Sequence, residues 1–314
     1  MQNRVREIDY LKCVFIVLMI VFHLVYVGDK FPYAKQIVYT FHMPAFLVIS
    51  GYLANIDKGF GKLARQVKWL FIPYAVMEAG YTYMASLLPI REHIERLTIG
   101  VFLDKLLLHP LGPYWYLHTL IICYLVYYAT SRLRPRLGVA ATLCLMGVAF
   151  YAADELLHIV SINNAMYFMA GAAVRMCGVR VMSAFSPTLL SAVPLALLCA
   201  MSPDGLDRST LQGVVMTWLA MSFALAAYPY LGDKLKTATH FIGENTLAIL
   251  LFSPMFTIIA KRFVPLLSFD PTAMLYTAVS VAFTIAGSVA VAYIMDRLKL
   301  SRWFSGKRLY NAPQ

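Results

Sequence analysis

The chain has 314 residues, 60% of them hydrophobic and 14% charged, against about 45–50% and 25% in a water-soluble domain. With a mean hydropathy of +0.67, this excludes a soluble enzyme, a fibrous or disordered protein and a nucleic-acid-binding module. The net charge of +11 is therefore first a topological signal, because Lys and Arg accumulate in the cytoplasmic loops of membrane proteins.

Apolar stretches fall at about 9–27, 38–54, 67–89, 113–131, 138–157, 161–177, 186–201, 210–231, 239–260 and 272–295. Each is expected to form a membrane-crossing helix, which makes the chain an all-α, polytopic protein with about ten transmembrane helices in a single domain over 1–314. The first stretch follows charged residues and lacks a small-residue cleavage site, so it is expected to be a membrane helix and not a cleavable signal peptide. The segment 97–109 is too short to span and is expected at the interface. Nineteen of the 27 Lys and Arg side chains fall in the compartment that holds both termini and the loops at 55–68, 132–137, 175–185 and 232–238, and eight fall in the other. That asymmetry places both termini in the cytoplasm of a multi-pass protein of the inner or plasma membrane. The five cysteines, Cys13, Cys123, Cys144, Cys177 and Cys199, lie in or beside apolar runs without a CxxC pair. They are expected to be small core residues, with no disulfide framework and no metal site.

Polar groups inside the spans carry the chemistry, since each is costly in a bilayer unless it is paired or faces a cavity. Asp9, Lys12 and His23 lie in the first stretch. Lys12 and His23 are separated by about three turns plus ~20°, so they share one helix face some ~16 Å apart along the axis, with Asp9 on the same stripe. A plainer account has Asp9 and Lys12 snorkel to the interface while His23 bonds a neighbouring helix. In the second stretch His42 precedes Pro44 and Ser50 precedes Gly51; the irregular helix expected there sets His42 at the depth of His23, or else leaves His42 to satisfy a carbonyl freed by Pro44.

Glu78, near the middle of the third stretch, is a functional-site candidate because it is an intramembrane carboxylate. As the partner that holds an imidazole tautomer, it is expected to line one polar cavity with His23 and His42. Lys58, Lys62, Arg65 and Lys68 cluster before the third helix, where topology explains them and phosphate binding is the sharper alternative. Trp115 and His118 open the fourth stretch among aromatics that suit an interfacial belt or the wall of a sugar or acyl site. Gly243-Glu244-Asn245-Thr246 has the look of a helix start. Gly59-Phe60-Gly61-Lys62 mimics a dinucleotide fingerprint by spacing alone, without the strand that motif requires.

Ile8-Asp9-Tyr10-Leu11-Lys12, a ten-residue apolar spacer and Phe22-His23 resemble the (R/K)-x10-H signature of the membrane-bound acyltransferase-3 family. Further matches run in order: Phe41-His42-Met43-Pro44, Val48-Ile49-Ser50-Gly51-Tyr52-Leu53, Ile72-Pro73-Tyr74, Trp115-Tyr116-Leu117, Tyr167-Phe168 with Gly171, Gly243-Glu244-Asn245-Thr246 and Phe304-Ser305-Gly306-Lys307-Arg308. Two departures are Lys12, where many relatives have Arg, and Ser253, where a late-helix His is common. The resemblance implies a ten-helix O-acyltransferase moving an acyl group, usually acetyl, from acetyl-CoA as co-substrate to a hydroxyl of an extracytoplasmic or lipid-linked sugar. No permanently bound cofactor is implied. His23 is then the catalytic base with Lys12 and Glu78 beside it. Lys12, Lys62, Arg65 and Lys68 take the donor, and His42, Ser50, Trp115, His118 and Asn245 line the acceptor pocket. The alternative function is an exporter or flippase of a glycan intermediate, against which stands the lack of an internal repeat.

Overall fold

The computed structural model describes residues 5–54, 59–87, 92–201 and 203–312, and among these no strand occurs. The helices in chain order are α1 (Arg6–His23), α2 (Val25–Lys30), α3 (Pro32–Leu53), α4 (Phe60–Leu87), α5 (Ile99–Leu107), α6 (Trp115–Ser131), α7 (Arg134–Glu155), α8 (Ile162–Met176), α9 (Val181–Phe185), α10 (Ala192–Ala200), α11 (Leu211–Ala227), α12 (Asp233–Glu244), α13 (Thr246–Ala260), α14 (Val264–Leu267), α15 (Met274–Arg297) and α16 (Ser301–Phe304).

Each of the ten apolar stretches carries a helix, but among the described residues four segments are long and apolar enough to cross a membrane: Arg134–Glu155, Leu211–Tyr230, Thr246–Leu267 and Met274–Arg297. Of the others, α3 and α4 are long enough, at 22 and 28 residues, but not apolar enough, and the rest are short or interrupted. α6, α8 and α10 have 17, 15 and 9 residues, against about 20 for a full crossing. The first stretch breaks at Leu24, whose backbone is extended (φ −70°, ψ 104°). The ninth breaks at Asn245, so its first third belongs to the separate helix α12. All five cysteines are free; Cys13 and Cys123 are buried, whereas Cys144 and Cys177 are exposed and not core residues.

The chain divides into two compact units: Met1–Phe46 with Arg180–Arg302 and Lys307–Gln314, and Leu47–Val179 with Trp303–Gly306. In the first unit α1 packs along α12 and also meets α11, α13 and α15. Gly243 makes the α1–α12 approach possible: a Cβ there would stand 1.9 Å from the Asp9 carbonyl oxygen. α15 buries Ser280, Thr284 and Ser288 at four-residue intervals and packs chiefly on α13, the small-residue contact by which membrane helices come close. Ahead of α15, the Asp270 carboxylate accepts the Thr272 amide (2.8 Å), the Thr272 hydroxyl (2.6 Å) and the Leu275 amide (2.8 Å). The Thr272 hydroxyl first, then these amides, hold the Asp270 carboxyl below its usual range. A carboxylate depressed in the folded state stabilises its turn at neutral pH and loses that contribution as pH falls through the folded value. The protection of the Leu275 amide against hydrogen exchange, relative to its intrinsic rate at each pH, is therefore expected to fall on acidification below the ordinary carboxylate range, and Asp270→Asn to abolish that pH-dependent change in protection.

In the second unit α4 packs on α5 and α6, and α7 on α6 and α8. Gly51 and Gly171 face each other across a helix crossing. A Cβ on Gly51 would lie 2.0 Å from the Phe168 carbonyl oxygen, and one on Gly171 1.9 Å from that of Val48. The end of α5 and the turn after it are tied by side chains from the neighbouring helices: the Tyr74 hydroxyl donates to the Leu106 carbonyl (2.9 Å), His118 Nε2 donates to the Leu107 carbonyl (2.9 Å), and Glu78 Oε1 accepts the Leu111 amide (2.6 Å). α5 itself, nine residues long, leaves Ile99, Leu103 and Leu107 exposed.

Candidate active site

α1 runs without interruption from Arg6 to His23, so Lys12 and His23 lie on one face of a single rigid helix, ~16 Å apart. The Lys12 ammonium pairs with the Asp9 carboxylate at 2.6 Å, and Asp9 is the more buried partner. His23 is the last helical residue, not a residue one turn short of the end, because the chain turns extended at Leu24.

α3 begins at Pro32, six residues ahead of the expected start, which sets His42 ten residues into the helix. Lys35, Tyr39 and His42 follow at i, i+4 and i+7, one face of α3. That face meets the end of α1. The Tyr39 ring stands between the two imidazoles, 5.9 Å from His23 and 5.2 Å from His42 by ring centroids, and its hydroxyl donates to the Phe22 carbonyl (3.2 Å) where α1 ends. Below it Phe15 packs edge-on against Phe41 (6.3 Å) and Phe46 (6.2 Å), both on α3.

Both histidines use one device. His23 Nδ1 lies 2.7 Å from the Met19 carbonyl oxygen and His42 Nδ1 2.7 Å from that of Val38, each four residues back along its own helix. A carbonyl only accepts, so Nδ1 carries the proton, and in the neutral ring Nε2 presents a lone pair. The tautomer-holding role expected of Glu78 is thus filled by helix backbone. Nor does His42 serve Pro44: the carbonyl that proline frees is that of Thr40, whereas His42 bonds Val38. His42 is 2% exposed and its Nε2 has no partner among the described residues; His23 is half-buried, so its lone pair is the more accessible of the two.

The remaining candidates have other employments. Asn245 is 1% exposed; its Nδ2 donates to the Phe241 and Asn311 carbonyls (2.8 and 3.0 Å), and its Oδ1 accepts the Asn311 amide (2.9 Å). It latches the segment after α16 to the α12–α13 junction, with both of its N–H donors engaged in that latch. Asp296 secures the same segment through the amides of Leu309 (3.1 Å) and Tyr310 (3.0 Å). In the second unit Ser50 shares a hydrogen bond with the Tyr116 hydroxyl (2.8 Å), and Trp115 packs edge-on against Tyr116 (6.3 Å). His118 holds α5, as described above. Glu78 is fully buried, with Oε1 also 3.5 Å from the Thr82 hydroxyl and Oε2 without a partner among the described residues. Lys62, Arg65 and Lys68 stand exposed on the first turns of α4 and not in the loop before it; Lys68 lies over the Trp69 ring (4.9 Å). Lys58 falls outside the described residues.

A profile described as an acyltransferase domain, that of acyltransferase-3, matches residues 5–293, nearly the whole chain and all of the α1 and α3 faces that form the histidine pair. The chain belongs to the acyltransferase-3 family. A membrane acyltransferase is therefore what these helices build, and the family's motifs acquire physical roles here. Gly51 and Gly171 are the two halves of one helix crossing, and Gly243 brings α12 against α1 beside the turn that carries Lys12. No curated protein and no solved structure matches the chain. Tyr39, which stands between the two imidazoles, is the residue that intramembrane charge did not single out in the sequence, although its spacing from His42 was there to be read.

Proposed function

We propose that this acyltransferase moves an acyl group, acetyl in the first instance, from a cytoplasmic acyl-CoA to a hydroxyl of an extracytoplasmic or lipid-linked sugar. In this arrangement ten spans and cytoplasmic termini place Lys12 towards the inner face of the cell membrane and His23 towards the outer. One observation carries the proposal: a cation and a bare imidazole nitrogen share one face of an unbroken helix. Lys12, held in place by Asp9, retains N–H donors for a CoA phosphate, and a pantetheine arm has the reach to follow α1 to His23. There His23 Nε2 takes the acceptor's hydroxyl proton as the oxygen attacks the thioester carbon. The carbon–sulfur bond breaks, and the CoA thiolate leaves with the proton that the imidazolium returns, giving an ester and free CoA. The exposed cations of α4 add long-range attraction for a polyanionic donor.

Mass spectrometry of surface glycans from cells with and without the protein tests this directly: a difference of one acyl unit is expected, and identical glycans would refute it. The donor half has its own test. Lys12→Ala is expected to raise the KM for acetyl-CoA about tenfold, the worth of one charge-assisted bond. Arg65→Ala is expected to raise it less, by an amount that disappears at high salt. Unchanged KM in both variants would leave these side chains a topological role only.

A further inference from the structure

Behind α1 lies an apolar groove that the transfer step does not use. Val17 and Val21 form its floor. They stand roughly 140–180° round α1 from Lys12, away from the face that Lys12 and His23 share. One wall is α12, through Ala238 and Phe241, and the other is α15 from Met274 to Val289, a run of ~22 Å. Ala278, Ala282 and Ala286 are exposed in the α15 wall, and their small side chains keep the groove open. Among the described residues Thr277 is the one polar member of the lining, and its hydroxyl donates to the Ala273 carbonyl (2.7 Å). The walls therefore present hydrocarbon to an occupant and no free side-chain donor.

The size of the space limits what fills it. A volume of about 760 Å³ over that length leaves a mean cross-section of about 35 Å², whereas a helix ~10 Å across needs about 80 Å². Alkyl chains fit, and a helix of another protein does not.

The end of the groove at Val289 adds a polar requirement. Tyr310 bridges the walls there, its ring 6.1 Å from Phe241 and 5.4 Å from Tyr293. Val289, Tyr293 and Arg297 follow at four-residue intervals along one side of α15. Arg297 lies over the Tyr293 ring (5.0 Å) and donates through Nε to its hydroxyl (2.8 Å). Its terminal guanidinium nitrogens meet no acceptor among the described residues, because the neighbouring Asp296 carboxylate takes the amides of Leu309 and Tyr310. From Arg297 to Arg308 the sequence holds five Lys and Arg and no Asp or Glu. At the opposite end Met274 follows Asp270, and the Lys30 ammonium that reaches this turn is spent on the Pro271 carbonyl. Hydrocarbon walls that end at an exposed guanidinium suit an amphiphile with a negative head.

We infer that this groove seats the acyl chains of one anionic phospholipid, its phosphate at Arg297 and its chains running from Val289 towards Met274 between α12 and α15. The lipid backs α1 from the side opposite to Lys12 and His23, so it does not compete with an acyl donor.

Native mass spectrometry tests this on the full-length protein released from nanodiscs that hold equal amounts of phosphatidylglycerol and phosphatidylcholine with identical chains. One phosphatidylglycerol is expected to stay bound, with about tenfold preference over phosphatidylcholine, as one charge-assisted contact allows. Arg297→Gln is expected to erase that preference while lipid is still retained, and Arg297→Lys to keep it. Ala282→Phe fills the groove and is expected to lower retention of both lipids by about tenfold. Val279→Phe, on α15 outside the lining, is expected to leave retention unchanged. Added phosphatidylglycerol is expected to raise the Tm of the wild type but not of Ala282→Phe. Equal retention of the two lipids, a preference that survives Arg297→Gln, or full retention by Ala282→Phe would overturn the inference. Should Ala282→Phe not fold, the exposed Arg297 variants still decide it. A wild-type dimer that carries no lipid and that Ala282→Phe converts to a monomer would assign the groove to a second copy of the chain and overturn it as well.

Discussion

Replacing His23 with alanine is expected to lower acyl transfer by about 10²-fold or more, the usual worth of a positioned general base, while expression, membrane insertion and detergent stability stay at wild-type levels. The separation of the two effects follows from the geometry. Among the described residues the one hydrogen bond His23 makes goes to Met19, on its own helix, so removing the ring leaves no partner among them stranded on another element. A folding role would predict the opposite pattern, lost stability alongside lost activity. CoA release from acetyl-CoA by purified protein, with an acceptor present, is the measurement; near-wild-type release by His23→Ala would end the general-base assignment. His42→Ala is the informative companion, because His42 is sealed from solvent and a purely positional role would cost less than the loss of His23.

Adding a side chain at Gly171 is expected to damage the fold itself. The atoms a Cβ would strike there are the Val48 carbonyl oxygen at 1.9 Å and the Tyr52 amide nitrogen at 2.8 Å, and the reciprocal substitution at Gly51 would strike Phe168 and Ala172. These are backbone atoms of a facing helix and cannot rotate away, so the two helices must separate along their whole crossing. Gly171→Leu should cost at least the about 1–3 kcal/mol typical of overpacking, seen as a loss of monodisperse protein in detergent and a lower Tm. Gly59→Ala is the control, since nothing lies within 4 Å of a Cβ at that position. Normal thermal stability of Gly171→Leu would show that the two helices do not depend on this contact.

The part of the site set by periodicity within one helix was legible from the residues. Lys12 and His23 needed only the arithmetic of an unbroken helix, and α1 supplies one. Tyr39 obeyed the same arithmetic relative to His42 but was passed over, because a tyrosine in an apolar span looks like any belt aromatic until its hydroxyl is seen on Phe22. The break at Leu24 has no local signature: neither Gly nor Pro stands there. It is imposed by packing, with Leu24 and Val27 buried against Ala260 and Tyr276. Glu78 and Asn245 show the converse limit. Each is a polar residue where a bilayer would not tolerate one unpaired, so both invited a ligand; their partners are the amide of Leu111 and the backbone of Asn311. The first of these comes from a connecting turn and the second from a segment 66 positions away, and neither is visible in any local pattern.

Because Lys12 and His23 ride on one helix, their separation is a fixed gauge. No hinge lies between them and no loop can shorten the distance. A donor whose charge and reactive carbon lie within a few ångströms of each other, such as acetyl phosphate, can touch either end of α1 but not both, and gains nothing at His23 from its contact with Lys12. With the donor held as proposed, selectivity for long, extended donors would be written into helical pitch, independently of any pocket that recognises the nucleotide.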